Sequence, residues 1–225
     1  MQDQRSTVEL VAESIRDGIR SGRYITGQRL VEADITSELA VSRGPVREAM
    51  RRLSAEGLVE IAHHQGARIK RLSRADVLSL YEIRELLEGL AARLAAEQVE
   101  HSKGLAKRIR ALKRDMQRAS KNADIEQYVQ LNREFHDLLV TSSGNPHLPS
   151  MIANLQTQVM RFQFRSLMDH KAILQSEKEH KEIVEAVLNA NAARAEKLMR
   201  HHVSRSRDLV LRLPKSMFAP EKEKS

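Results

Sequence analysis

Apolar positions along the first 70 residues fall at helical spacing three times and then switch to short β-prone runs. Val8, Leu10, Val11, Ile15 and Ile19 form one stripe that ends near Gly22, and Thr26-Gly27 turns the chain. Leu30, Ile35 and Leu39 form a second, with Glu32 and Asp34 early in it, where acidic groups suit the positive end of a helix dipole. Ala40-Val41 leaves only a short connection to a third stripe of Val46, Ala49, Met50 and Leu53. Pro45 suits the first turn of that helix, and Ser42 just upstream is placed to cap it. After Gly57, the runs Leu58-Val59-Glu60-Ile61 and Ala67-Arg68-Ile69 flank His63-His64-Gln65-Gly66, which is a hairpin signal. Three helices and a hairpin predict a winged helix-turn-helix with a small β-hairpin wing over residues 1–72.

From Leu72 onward the pattern is helical almost to the end. Ser73 followed three residues later by Asp76 resembles a capping box. Helices are expected near 74–98, 103–120, 124–142, 146–167, 171–189 and 191–211. Asn122, Ser142-Ser143-Gly144-Asn145-Pro146 and Asn189-Ala190-Asn191 supply the breaks. The fold class is therefore mainly α: a winged helix-turn-helix, then an all-α antiparallel bundle over 73–213, then a polar tail at 214–225 expected to be disordered. The helix near 103–120 carries Lys103, Lys107, Arg108, Arg110, Lys113, Arg114 and Arg118, with Lys121 just beyond, against one acid, Asp115. Its core stripe is Leu105, Ile109, Leu112 and Met116. A solvated outer face is the expected reading of its charge, with a contact to DNA as the alternative.

Composition narrows the partners. Net charge is +8, yet residues 1–72 hold 12 Lys+Arg and 10 Asp+Glu, so any DNA signal there lies in where the arginines stand rather than in bulk charge. Aromatic residues are only 3% with no Trp, which argues against single-strand binding by base stacking. The absence of cysteine excludes disulfides and thiolate chemistry. No stretch resembles a signal peptide or a membrane span, and a cytoplasmic location is expected.

Arg43, Arg47 and Arg51 recur every four residues on the polar side of the third helix, with Ser42 at the same end. An arginine there can pair with guanine in the major groove or neutralise a phosphate, and Gly66 and Arg68 of the wing can approach the DNA backbone. Gly27-Gln28-Arg29-Leu30, the run Leu39 to Ala49, and Glu56-Gly57-Leu58-Val59 resemble the DNA-binding domain of GntR-family bacterial transcription regulators. That resemblance spans residues 8 to 71. It implies operator contacts from Arg43 and Arg47 and a minor-groove approach at Gly66. Some relatives carry a further arginine on the second helix, where this chain has Ala33.

Asn132 and His136 are four apart on one expected helix face, and His180 and His202 lie on two later helices. Neutral imidazoles suit zinc, nickel and similar ions, and bundle cores can hold such sites, although a lone helical histidine is more often a surface or capped residue. Glu134 and Asp137 point off the Asn132–His136 face, so no general base is evident. Arg84-x-x-x-Glu88, Asn132-x-x-Phe135-His136, Ser143-Gly144-Asn145, Glu179-His180 and Met199-x-x-His202-Val203 resemble the FCD ligand-binding domain of FadR-type GntR proteins. The resemblance implies a divalent metal held by one aspartate and three histidines, with a small organic acid completing the shell. The matching positions are Asn132, His136, His180 and His202. Asn132 stands where aspartate is commoner, so metal affinity should fall or the site should gain one positive charge, which favours an anionic ligand. Arg84 is a candidate for the effector carboxylate or for a salt bridge with Glu88, and Asn145 is a second effector candidate. His201 points about 100° from His202 on the helix and is expected to be exposed.

These features predict a sequence-specific transcription regulator, a repressor acting as a homodimer on a near-palindromic double-stranded operator and responding to a small carboxylate. The alternatives are a metal-dependent hydrolytic enzyme and an architectural DNA-binding protein without effector.

Overall fold

The computed structural model describes residues 6–20, 22–62, 66–102, 104–167 and 169–221. His63, His64, Gln65 and Lys103, all singled out above, lie outside the described residues. The chain divides into two compact units, residues 1–73 with 214–225, and residues 74–213.

In the first unit, α1 (Thr7–Arg20), α2 (Glu32–Leu39) and α3 (Arg43–Ala55) surround one apolar core. Val11, Ile15, Ile19, Ile35, Val46, Met50 and Leu53 are buried in it, as the helical stripes predict. Leu10, which the pattern places in the first stripe, faces outward. Ala40 closes α2 in the left-handed conformation and Ser42 opens α3 from an extended one, so the connection is only three residues. Ser42 occupies the cap position, but its side chain makes no cap hydrogen bond and stays exposed, contrary to the expected capping role. Arg16 of α1 pairs with Glu56 at the end of α3 (2.7 Å) and with Glu13 (2.9 Å), which fixes the far end of α3. Gly57 then takes φ +76, a left-handed turn that side chains resist, and Leu58 N–H returns to Leu53 O (2.9 Å).

The hairpin forms as β2 (Val59–Ala62) and β3 (Gly66–Ile69). A third strand, β1 (Arg29–Leu30), pairs on the other side of β3, with Arg29 opposite Arg68. Two residues are too few for any alternation to be read from sequence.

The second unit is an antiparallel bundle of six helices among the described residues: α4 (Arg74–Gln98), α5 (Leu105–Lys121), α6 (Ile125–Thr141), α7 (Leu148–Ser166), α8 (His170–Leu188) and α9 (Ala192–Leu211). Asp124, Asp169 and Asn191 cap α6, α8 and α9 by accepting backbone N–H bonds. Helix α4 packs along α9, α5 lies on α6 and α8, and α8 lies on α9.

The tail departs from the expected disorder through residue 221. Lys215–Met217 make one 3₁₀ turn, and the Phe218 ring is buried at 4% exposure. Ala219 N–H donates to Leu72 O (2.8 Å) and the Arg71 guanidinium donates to Phe218 O (3.3 Å). One aromatic side chain in a polar segment is enough to tether it.

Candidate DNA-facing surface and candidate metal centre

Helix α3 turns Val46, Ala49, Met50 and Leu53 inward, which leaves Ser42, Arg43, Arg47 and Arg51 exposed on its other side. The arginines are not uniformly free. Arg47 Nε reaches both carboxylate oxygens of Glu32 on α2 (2.9 and 3.1 Å), and Arg51 pairs with Glu48 (3.3 Å). These pairs are exposed and therefore weak, so a phosphate or a guanine can replace them at small cost. Arg43 makes no ion pair among the described residues.

Gly66 opens β3 at φ +77, and a Cβ there would sit 3.7 Å from the Arg29 guanidinium. Arg29, Glu32, Ala33, Arg43 and Gly66 line one cleft of about 270 Å³. Arg29 is the residue the sequence reading missed. Its partner across the strands is Arg68, which in turn stands opposite Glu60 of β2, so the three charged residues form one row across the sheet. Ala33 lines the same cleft and brings no charge to it, so Arg29 is the cation that β1 supplies there.

In the second unit, His136 of α6, His180 of α8 and His202 of α9 are all buried, and each presents a ring nitrogen within 4.8 Å of the others. Their remaining nitrogens are tied outward. His136 Nδ1 meets Glu88 Oε2 (2.6 Å), and His202 Nδ1 meets Glu179 Oε2 (2.7 Å). His180 Nδ1 lies 3.3 Å from the Tyr128 hydroxyl. An ionised carboxylate only accepts, so Nδ1 of His136 and His202 carries a proton, and in the neutral imidazole that leaves Nε2 as the ligating nitrogen. His180 Nε2 and His136 Nε2 stand 3.4 Å apart. Nitrogens about 2.1 Å from a tetrahedral zinc are separated by about 3.4 Å. Three neutral imidazoles facing one another in a buried pocket are a donor set that fits a divalent metal.

Two buried carboxylates complete the arrangement. Burial alone would raise Glu88, but the Arg84 guanidinium and His136 hold it well below the usual carboxylate range. Burial likewise opposes ionisation of Glu179, and its bonds to His202, Arg205 and Gln175 bring it down to about 2. Burial pushes His180 and His202 below the ordinary imidazole value, which favours the neutral, ligating form.

Arg84 donates from Nε (2.9 Å) and a terminal nitrogen (2.6 Å) to Glu88 Oε1, so of its two sequence roles the salt bridge is the one formed here. Arg84 also borders the cavity beside the histidines, together with Asn132, Ser176 and Arg205. Asn132 is thus brought to the site. Asn145 is not among the cavity-lining residues; its Oδ1 accepts from His147 N–H (2.9 Å) in the turn before α7. His201 is exposed, as expected. The cavity has a volume of about 20 Å³, room for an ion or a water, whereas an organic acid would need side chains to move. Glu88, read from the sequence only as a partner of Arg84, and Glu179, Tyr128 and Arg205 are the residues whose place beside the histidines sequence reasoning did not assign. The Arg84–Glu88 spacing of four was the available signal for one of them.

Comparison with known proteins gives two matches along the chain. Residues 7–69 match the family model described as bacterial regulatory proteins, gntR family, and residues 79–205 match the FCD domain. The chain is 30% identical over 205 residues to the "Probable D-xylose utilization operon transcriptional repressor" of Paenarthrobacter nicotinovorans, covering 89% of each chain. It is 26% identical to the HTH-type transcriptional repressor GlaR of Escherichia coli K12, over 84% of this chain and 89% of that one. Its fold is similar to that of E. coli McbR/YncC, with a TM-score of 0.80 at 20% identity, covering 92% of this chain and 98% of that one.

Proposed function

The chain belongs to the gntR family of bacterial regulatory proteins, in the branch that carries an FCD domain, and on that premise we propose how it works. It is a DNA-binding transcription regulator and not an enzyme. In our reading it acts as a repressor released by a small carboxylate, with a divalent metal held by His136, His180, His202 and the amide oxygen of Asn132. The observation that carries the reading is the convergence of three buried imidazole nitrogens whose outer nitrogens are already bonded. A bound metal would supply a positive centre for the carboxylate of an effector.

Arg84 and Arg205 line the cavity, and each leans on a glutamate that also holds a histidine: Arg84 on Glu88, Arg205 on Glu179. An anion entering the cavity competes with these glutamates for the guanidinium groups. Because the cavity is small, entry repositions side chains on α4 and α9, which gives an effector a way to favour one arrangement over another. Asn145 has no part in this scheme; it serves its turn.

On DNA, Arg43 and Arg47 read bases or phosphates in the major groove, with Ser42 and Arg51 flanking them and Gly66, Arg68 and Arg29 at the backbone beside the wing. A homodimer places two such surfaces on a near-palindromic operator. The test begins by selecting bound fragments from sheared genomic DNA and measuring affinity for one selected duplex. Arg47→Ala should cost about 1–3 kcal/mol and relax selectivity at one position of each half-site. Affinity and selectivity both equal to wild type would remove Arg47 from the interface.

A further inference from the structure

Helix α5 carries more positive charge than the DNA-binding unit. Between Leu105 and Lys121 stand seven Lys and Arg residues and one Asp, a net of +6, against +2 for residues 1–72 and +8 for the whole chain. The rest of residues 73–213 is close to neutral, at −1.

The charge is also organised. Leu105, Ile109, Met116 and Ala119 are buried, which fixes the inward side of α5. At about 100° per residue, Lys107, Arg110, Arg114, Arg118 and Lys121 fall within an arc of about 80° on the opposite side. All five are exposed. Lys113, off that arc, pairs with Glu185 (3.6 Å). None of the five makes an ion pair among the described residues.

A merely solvated helix intersperses the two signs, since opposite charges three or four apart stabilise it and like charges destabilise it. Here Lys107–Arg110, Arg110–Arg114, Arg114–Arg118 and Arg118–Lys121 are all like-charged neighbours. Lys107 also sits in the first turn, where the helix dipole disfavours a cation. The helix tolerates repulsion along its whole outer side, and a polyanion relieves every one of these contacts at once.

We propose that this face of α5 binds the sugar–phosphate backbone of duplex DNA, as a second contact surface beyond the winged helix. Lys107 to Lys121 spans about 21 Å, the axial rise of about six base pairs. The stripe has no aromatic side chain for base stacking, so it follows phosphates and reads no sequence. The proposal draws on the regulator reading only for making DNA the polyanion at hand.

The test measures anisotropy of a labelled random-sequence 40-base-pair duplex with the full chain over a range of salt concentrations. Each phosphate contact contributes about 0.9 to the slope of log K against log salt. Replacing Lys107, Arg110, Arg114 and Arg118 together by Gln keeps helix propensity and should lower the slope by about 3.6 for each protomer whose α5 touches the duplex. Arg114→Gln alone should lower it by about 0.9 for each such protomer, which serves if the fourfold variant fails to fold by circular dichroism. The Arg110→Lys, Arg114→Lys, Arg118→Lys triple should keep the wild-type slope. A wild-type slope in the Gln variants overturns the proposal, as does an unchanged slope accompanied by loss of sedimentation with phosphatidylserine vesicles. An Arg43→Ala, Arg47→Ala protein runs in parallel. If only that one weakens, the winged-helix reading stands and the α5 face is rejected; if only the α5 variants weaken, the winged-helix reading fails instead.

Discussion

Glu88 holds two buried donors at once, Arg84 on one oxygen and His136 on the other, and is itself 1% exposed. In Glu88→Gln one of those donors faces an amide N–H, and the charge that balances Arg84 is gone. We expect the metal-free protein to lose about 3–5 kcal/mol, because a buried guanidinium is left uncompensated. We also expect metal affinity to fall about 10–100-fold, because His136 loses the carboxylate that fixes its tautomer and raises its basicity. Denaturant unfolding without metal reads the first effect, and competition against a chromophoric chelator reads the second. Unchanged affinity in a folded Glu88→Gln protein would separate Glu88 from the centre. Only part of this was legible in the sequence. Arg84 and Glu88, four apart, announce a helical pair, and the family pattern singles out the histidines. The reach of Glu88 to His136 and of Tyr128 to His180 depends on how α4, α6 and α8 pack, and no spacing along the chain encodes that.

At the scale of elements, long apolar stripes and clear stops made the helices readable. The Asn122 and Asn189-Ala190-Asn191 breaks fall where α5 and α8 end, and α4 runs as expected from Arg74 to Gln98. Short elements held by single contacts were not readable. Strand β1 exists because two residues pair with β3, and residues 214–221 are held because Phe218 is buried. Arg29 went unassigned for the same reason: pairing in β1 brings it to the cleft beside Gly66, which a two-residue strand cannot advertise. The tail yields its own prediction. Phe218→Ala removes a nearly fully buried ring and should destabilise the first unit by about 3 kcal/mol, at the low end for such truncations because the tail can shift to fill the gap. A lowered thermal transition of that unit would register the loss. An unaltered transition would mean the tail lies on the unit without stabilising it.

For the whole molecule, two compact units are expected to unfold in two transitions, and a ligand confined to one unit should then move only its own. The candidate metal ligands all lie within residues 74–213, on α6, α8 and α9. Metal at 100 times its dissociation constant stabilises the state that binds it by about 2.7 kcal/mol. For a unit of this size that shifts the unfolding midpoint by on the order of 10 °C. Calorimetry of the full chain before and after exhaustive chelation should therefore lower one transition by that amount and leave the other in place, and added zinc or nickel should restore it. In His136→Ala the chelated and reloaded proteins should melt together, since two imidazoles and an amide hold a divalent ion far less tightly. The assignment of transitions is independent of the metal: Phe218→Ala moves the first unit's midpoint and marks which is which. Equal midpoints with and without metal in the unsubstituted chain would show that the three imidazoles hold no metal, and the effector scheme built on them would go with it, while DNA binding by α3 and the wing would be untouched.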